Sequence, residues 1–471
     1  MAVYRKRLKI SKLLIALASV SIMLSGCALN SVYEEEGVLA FLPDTWKFVP
    51  QASESKHTND QASQWWQGLH NPQLNDLMRQ ALLQNNDLKE SALRLQQAAL
   101  RTETSALAGM PKPSLGLSNS TQVPLSDGRN LSSSYGASFG LSQELDFWGR
   151  LDERSKISHK QLNIAQSDLE VAHWLITSGV AKQYWAVAVI DQKIILAKQA
   201  KTDAEVRHKV TQLRLDMGLI QHNELNQSTA NLTVLNERLF ELSLQRVNGV
   251  MGLALYLDLP PQTFILATAT LPAHYPSDPL SLPVLEVLDR LPKLRRGRLA
   301  LDVAASNHTI VQTNWYPIAS ASASIASGGT ELVSLLSGAA GSLGLSLALP
   351  FVDWKRLSID RDVSDIDLQL AAIEFRKLLH ETLVEIDQQY GNRQQWLANQ
   401  ELLQLQLEHA NNELHTTKLR YQEGIVAQVQ VLDAKRAVRD LQRSELDLKL
   451  SAWSNYIDIL RAWGGPTSGF P

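Results

Sequence analysis

Cysteine is almost absent: one residue, Cys27, in a chain of 471. No intrachain disulfide can therefore staple the fold, and no thiolate zinc cluster can form. Methionine is scarce, six residues and dispersed, and the 11 histidines form no HExxH and no Cys/His grouping. No metal site and no cofactor are predicted. GxSxG and P-loop signatures are missing as well. Gly140-Leu141-Ser142 and Gly344-Leu345-Ser346 are two copies of one strand segment rather than nucleophile elbows. Asp and Glu are spread along the chain as solvated faces, so no catalytic residue is assigned and no enzyme is expected. A net charge of −3 and a pI of ≈ 6.4 supply no basic field for nucleic acid. Proline is missing from 125–259 and from 351–465, while seven of the 17 lie between Pro260 and Pro292. Two long proline-free stretches flanking a Pro-rich connector predict long helices around an irregular middle.

What is present begins at the N-terminus. Arg5, Lys6, Arg7, Lys9 and Lys12 precede an apolar run from Leu13 to Leu24. That run is too short for a transmembrane helix, which takes about 20 residues, and it has the layout of a signal peptide, 1–26. Leu24, Ser25, Gly26 and Cys27 resemble a bacterial lipobox, which implies that Cys27 is acylated and becomes the first residue of the mature chain. The other reading is a chance cysteine in a cleaved leader. Acyl chains anchor by about 0.8 kcal/mol per buried CH₂. Ala28 stands where many inner-membrane lipoproteins carry Asp, so the known sorting rule implies the outer membrane.

The chain also repeats itself. A shift of 206 residues lays Leu88 on Leu294, Ala98-Ala99 on Ala304-Ala305, Pro111 on Pro317 and Trp148 on Trp354. It also lays Gln183-Tyr184 on Gln389-Tyr390, Leu213-Arg214 on Leu419-Arg420 and Gly218 on Gly424. Matched Trp, Tyr, Pro and Gly in one register indicate duplication. The expected organisation follows. A lipidated segment covers 27–72 and a first repeat 73–258, with a helix from Gln73 to about Leu107, a hairpin at about 114–145 and two long helices. A connector covers 259–282. The second repeat, 283–463, has a helix from Pro283, a hairpin at about 316–351 and two long helices, before a tail at 464–471. Leu403-Leu407-Ala410-Leu414-Thr417-Tyr421 and Leu162-Ala165-Leu169-Ala172-Ile176-Gly179 step at coiled-coil spacing. From Leu151 to Met217 an unbroken helix would run roughly 100 Å at 1.5 Å per residue. Its many Gln, Asn and charged residues read either as the solvated face of a coiled coil or as a wall wet on both sides.

The short segments alternate with period two. Leu343, Leu345, Leu347 and Leu349 interleave with Ser342, Gly344, Ser346 and Ala348, and Tyr135, Ala137, Phe139 and Leu141 with Gly136, Ser138, Gly140 and Ser142. Strands of about 9–11 residues with one apolar and one wet face match tilted transmembrane strands. Trp148, Trp315, Tyr316, Phe351 and Trp354 stand at their ends as an interfacial aromatic girdle. The competing readings are hairpins of a soluble sandwich, or a transmembrane helix over the charge-free Leu332–Val352, which the strict alternation and three glycines disfavour. Four strands cannot close in lipid, so several protomers must pool them, and three would give twelve.

Taken together, "WWQGLHNPQLNDLMRQALLQNNDLKESALRLQQAA", "FGLSQELDFWGRL" and "LRYQEGIVAQVQVLDAKRAV" resemble the TolC-like outer-membrane factor family, in its lipoprotein branch from tripartite multidrug efflux pumps. The resemblance implies a mixed α and β membrane protein. In it a trimeric 12-stranded β-barrel is continued by a long α-helical periplasmic barrel. It also implies an outer-membrane exit duct for drugs or other small molecules, loaded by a periplasmic adaptor protein and an inner-membrane pump. Gly218 and Gly424 would then turn the helices at the periplasmic tip and meet the adaptor. Where relatives carry a ring of Asp, this chain has Val426 beside Ile425, so an apolar gate is expected. A type I protein-secretion duct, a metal-efflux duct and a structural envelope-spanning coiled-coil lipoprotein remain the alternatives.

Overall fold

A computed structural model describes residues 47–49, 62–122, 132–276, 291–330 and 338–463. The chain divides into two compact units, one holding 109–154 and 304–368, the other 42–108, 155–303 and 369–471.

The first unit contains one antiparallel sheet. Its strands β1 (Lys112–Gln122), β2 (Ser132–Leu145), β3 (Ile318–Gly329) and β4 (Ala340–Ala348) lie in the order β1-β2-β3-β4. Because side chains alternate across a strand, register decides which residues share a face. Leu115 pairs with Phe139 and Phe139 with Ile325, while Leu141 pairs with Ala323 and Ala323 with Leu343. Every odd-numbered position therefore falls on one face, which gathers Leu115, Leu117, Phe139, Ile325, Leu343 and Leu345. The other face carries rows such as Ser114, Gly140, Ser324 and Ser342. Several glycines on this face sit directly opposite a serine and close to its hydroxyl. A Cβ at Gly136 would stand 2.7 Å from Ser118 Oγ, and at Gly116, Gly140 or Gly344 the nearest serine oxygen would be 2.9 Å away.

The second unit is helical. Asn71 accepts from Leu74 N at 3.1 Å to cap α1 (Pro72–Gln84), with Pro72 at the first turn. One correction to the sequence reading falls here. The helix expected to run from Gln73 to Leu107 is broken at Asn85, whose extended backbone ends α1 and starts α2 (Asn86–Leu107). Asn85 accepts from Leu88 N and donates to Tyr256 O at 3.0 Å, bonds that a helical residue could not make together. The long helices follow as α3 (Arg150–Asp216) and α4 (His222–Tyr256), then α5 (Pro292–Thr313), α6 (Trp354–Gln422) and α7 (Gln428–Ala462). The second-repeat helix expected from Pro283 is described only from Pro292. The strand reading of this region holds against the competing transmembrane helix over Leu332–Val352: within the described residues it forms β4 and a single 3₁₀ turn at Pro350–Asp353.

The helical core is aromatic at its centre. Tyr184 and Trp185 of α3 are fully buried with Leu74, Met78, Leu253 and Ile457, and the Trp185 and Trp453 rings lie 5.2 Å apart. Gly179 admits α4 closely, since a Cβ there would be 2.7 Å from the ring of Tyr256. Burying such side chains contributes about 1.5–3 kcal/mol each. Towards the tip of α6 the core thins to a seam. Leu403, Leu407, Ala410 and Leu414 are half-buried and Thr417 is buried, while the residues between them face water. This is the predicted coiled-coil stripe, although Tyr421 at its end is exposed.

Candidate functional site

The two inter-helix turns are copies in backbone as well as sequence. Gly218 has φ +70° and Gly424 φ +75°, a region that side-chain-bearing residues avoid. Leu219 N donates to Arg214 O at 2.8 Å, and Ile425 N donates to Arg420 O at 2.8 Å. This six-to-one bond satisfies carbonyls that each long helix leaves open at its C-terminus. Apolar side chains crown both turns: Met217 and Leu219 on one, Ile425, 67% exposed, on the other. Val426 is half-buried behind Ile425.

The duplication extends to buried polar contacts. Thr102 Oγ1 donates to Ser158 O at 3.2 Å, and at the matching place in the second repeat His308 Nδ1 meets Ser364 Oγ at 3.2 Å. Gln183 Nε2 donates to Gly249 O, and its counterpart Gln389 accepts from Asn455 through both its carbonyl oxygens. Tyr184 and Tyr390 also occupy matched positions but serve different partners. Tyr184 OH donates to Gln73 Oε1 and accepts from Asn71 Nδ2 and Thr270 N, which ties the connector to α1 and α3. Tyr390 OH accepts from Trp463 Nε1 at 3.0 Å, and burial pushes its pKa up to about 12. Burial likewise lowers that of His173.

Of the aromatic residues at the strand ends, Tyr316, Phe351 and Trp354 are exposed, whereas Trp148 and Trp315 are half-buried. Trp148 stacks on Tyr316 at 4.6 Å and donates Nε1 to Pro317 O at 2.9 Å. Phe147, next to Trp148 and read from the sequence as part of the same strand-end group, is 65% exposed. Leu24, Ser25, Gly26 and Cys27 lie outside the described residues. The sequence reading also missed Phe48, whose backbone N donates to Asp387 Oδ1 at 2.7 Å and which packs beside Gly391. No periodicity marks such an isolated docking residue. Among the described residues, no three of His, Cys, Asp and Glu come together in a way that could hold a metal ion. Nor, among them, is any helix long and apolar enough to cross a membrane.

An exposed apolar sheet face, a second face rich in Ser and Gly, and very long duplicated helices with matched turns are the features of a channel subunit. The chain belongs to the outer membrane efflux protein family, whose model matches residues 77–257 and 284–465, one match for each repeat. It is 23% identical over 462 residues to the pyoverdine export outer membrane protein OpmQ of Pseudomonas aeruginosa, covering 96% of each chain. Identity to the probable outer membrane lipoprotein SilC of Salmonella typhimurium is 21% over 407 residues, 85% of this chain and 87% of that one. In fold it matches the open state of the Neisseria gonorrhoeae outer membrane channel MtrE. The TM-score is 0.78 at 20% identity, over 90% of this chain and 96% of that one. The protein is thus an outer-membrane efflux channel with an internal two-fold repeat.

Proposed function

We propose that three copies pool their sheets into one twelve-stranded barrel and that the long helices line a periplasmic conduit. Small molecules would leave through it passively. A periplasmic adaptor would dock at the tip turns, Gly218 and Gly424, and an inner-membrane pump would supply the driving force. Cys27 carries the acyl anchor, and Ile425 and Val426 close the resting entrance by apolar packing and dewetting. The observation that carries this reading is the sheet. Its odd-numbered face exposes Leu115, Leu117, Phe139, Ile325, Leu343 and Leu345, Leu343 by 89%, and its edge strands β1 and β4 each pair on one side only among the described residues. In lipid such edges must be paired, because each unsatisfied backbone group costs several kcal/mol.

The test is dye and antibiotic accumulation in cells stripped of their own outer-membrane ducts. The protein is expressed with the adaptor and pump encoded beside it. Accumulation falls only when all three are present. If the trimer reaches the outer membrane and accumulation is unchanged, the small-molecule reading gives way to metal or protein export. If no trimer forms, the channel assembly fails with it.

A further inference from the structure

Helices α3 and α7 run antiparallel, and ion pairs lace them together. Lys182 meets Asp458 at 2.5 Å, Lys193 meets Asp447 at 2.5 Å, and Arg207 meets Asp433 at 2.9 Å. Between the last two lies Asp203, which differs from the rest. Its carboxylate takes two cations of α7 at once, Lys435 at 3.1 Å on Oδ1 and Arg439 on Oδ2. It is also more enclosed: the side chains of Asp203 and Arg439 are 17% and 12% exposed, whereas Asp447 and Asp433 are more than half exposed.

Two cavities flank this point. One, of about 280 Å³, is bounded by α3, α4 and α7 and includes Ala197, Ala200 and Ala204. The other, of about 390 Å³, is bounded by α3, α6 and α7 and includes Gln199 and Thr202. At 3.6 residues per turn, Thr202 lies about half a turn from both Ala200 and Ala204. The cavities therefore open on opposite flanks of the α3–α7 pair. Asp203 and Arg439 are the residues common to both linings. Ala197, Ala200 and Ala204, the alanines of α3 that line the first cavity, are too short to reach across to the second. Arg439 is held by Asp203, its Nε being buried without a hydrogen-bond partner.

We infer that Asp203, clamped by Arg439 and Lys435, is a charged plug that seals the channel wall between two solvent cavities, above the tip. This rests on the reading of α3 and α7 as the wall of a duct. Removing the carboxylate leaves two half-buried cations without this counter-charge, which turn outward to water and join the cavities. Removing the cations opens the same passage with the opposite residual charge. Arg207, Arg238, Arg436 and Arg443 with Asp440 also face the first cavity and Lys418 the second, so either passage is biased towards anions. The two leaks are therefore compared with each other.

The experiment records resting currents of the full-length lipoprotein in planar bilayers under a KCl gradient, for wild type, Asp203→Ala, Asp203→Asn and Arg439→Ala/Lys435→Ala. Resting conductance rises in each variant. The reversal potential of Asp203→Ala shifts towards that of chloride, and that of the double variant lies displaced from it towards potassium. Exchange of the charges, Asp203→Arg with Arg439→Asp, restores the wild-type resting level, and Lys193→Ala leaves it unchanged. Asp203→Asn, nearly isosteric, serves if the alanine variant does not assemble. If wild type conducts but the variants keep its resting conductance and selectivity, the plug is overturned. An equal leak from Lys193→Ala overturns it too, by showing general loosening. If wild type forms no conducting channel at all, the duct reading itself fails.

Discussion

Arg246 of α4 donates Nε to Asp191 Oδ1 of α3 at 2.5 Å, and that carboxylate, 7% exposed, also accepts from Ala269 N in the connector. One buried charge thus joins two helices and the irregular segment after them, and Arg246 adds a bond to Leu266 O at 3.0 Å. Arg246→Ala strands the carboxylate, which costs about 3 kcal/mol, and frees the connector. Limited proteolysis checks this: cleavage within 260–276 accelerates in the variant, and an unchanged rate refutes the latch.

The tip turns predict a smaller effect. Gly218 and Gly424 hold positive φ with open space around them, so substitution costs backbone strain alone. Gly424→Ala and Gly218→Ala each lose about 1 kcal/mol. Helix unfolding in denaturant, followed by circular dichroism, reads the loss. An unaltered midpoint in both variants would show that the turns relax elsewhere.

At the gate, Val426→Asp places a carboxylate behind the exposed Ile425. An apolar constriction excludes water, and a charge wets it. Conductance and resting leak both change in bilayer recordings, whereas Val426→Leu stays near wild type. Identical traces for Val426→Asp and wild type would remove Val426 from the gate.

Alkaline pH gives a fourth kind of test. Burial raises the Tyr390 pKa from 10 to about 12. The folded protein thus holds a proton that the unfolded chain has released. Stability from this group is complete below pH 10 and is lost as pH climbs to about 12, at a slope of about 1.4 kcal/mol per unit. Tyr390→Phe starts less stable, having lost the acceptor for Trp463, but its stability falls less steeply over that window. Parallel slopes would refute the assignment.

Much of this architecture was legible because it is periodic. Leu343 to Leu349 alternated, Leu403 to Leu414 stepped at coiled-coil spacing, and Gly218 matched Gly424 across the duplication; each pattern is local or self-referential, and the structure supplies the strand, seam and turn it called for. The break at Asn85 was hidden, because its cause lies at Tyr256, far along the chain. Asp203 was hidden for a similar reason. It reads as one more solvated carboxylate until α7 is laid antiparallel and Lys435 and Arg439 arrive beside it. Chemistry made by two distant helices in one register leaves no mark in either helix alone.

The sheet's Ser and Gly rows bear on how this protein can change over generations. On the odd-numbered face, Leu, Ile, Phe and Ala already interchange, so any apolar residue is admissible there and drift is wide. On the other, a single added carbon at Gly116, Gly136, Gly140 or Gly344 collides with the serine opposite. Enlargement there forces the serine hydroxyl to swing aside or to be lost from the next strand, so substitutions on this face are coupled across strands. The two faces of one short sheet are therefore predicted to evolve by different rules, one by independent substitution and the other by compensated exchange.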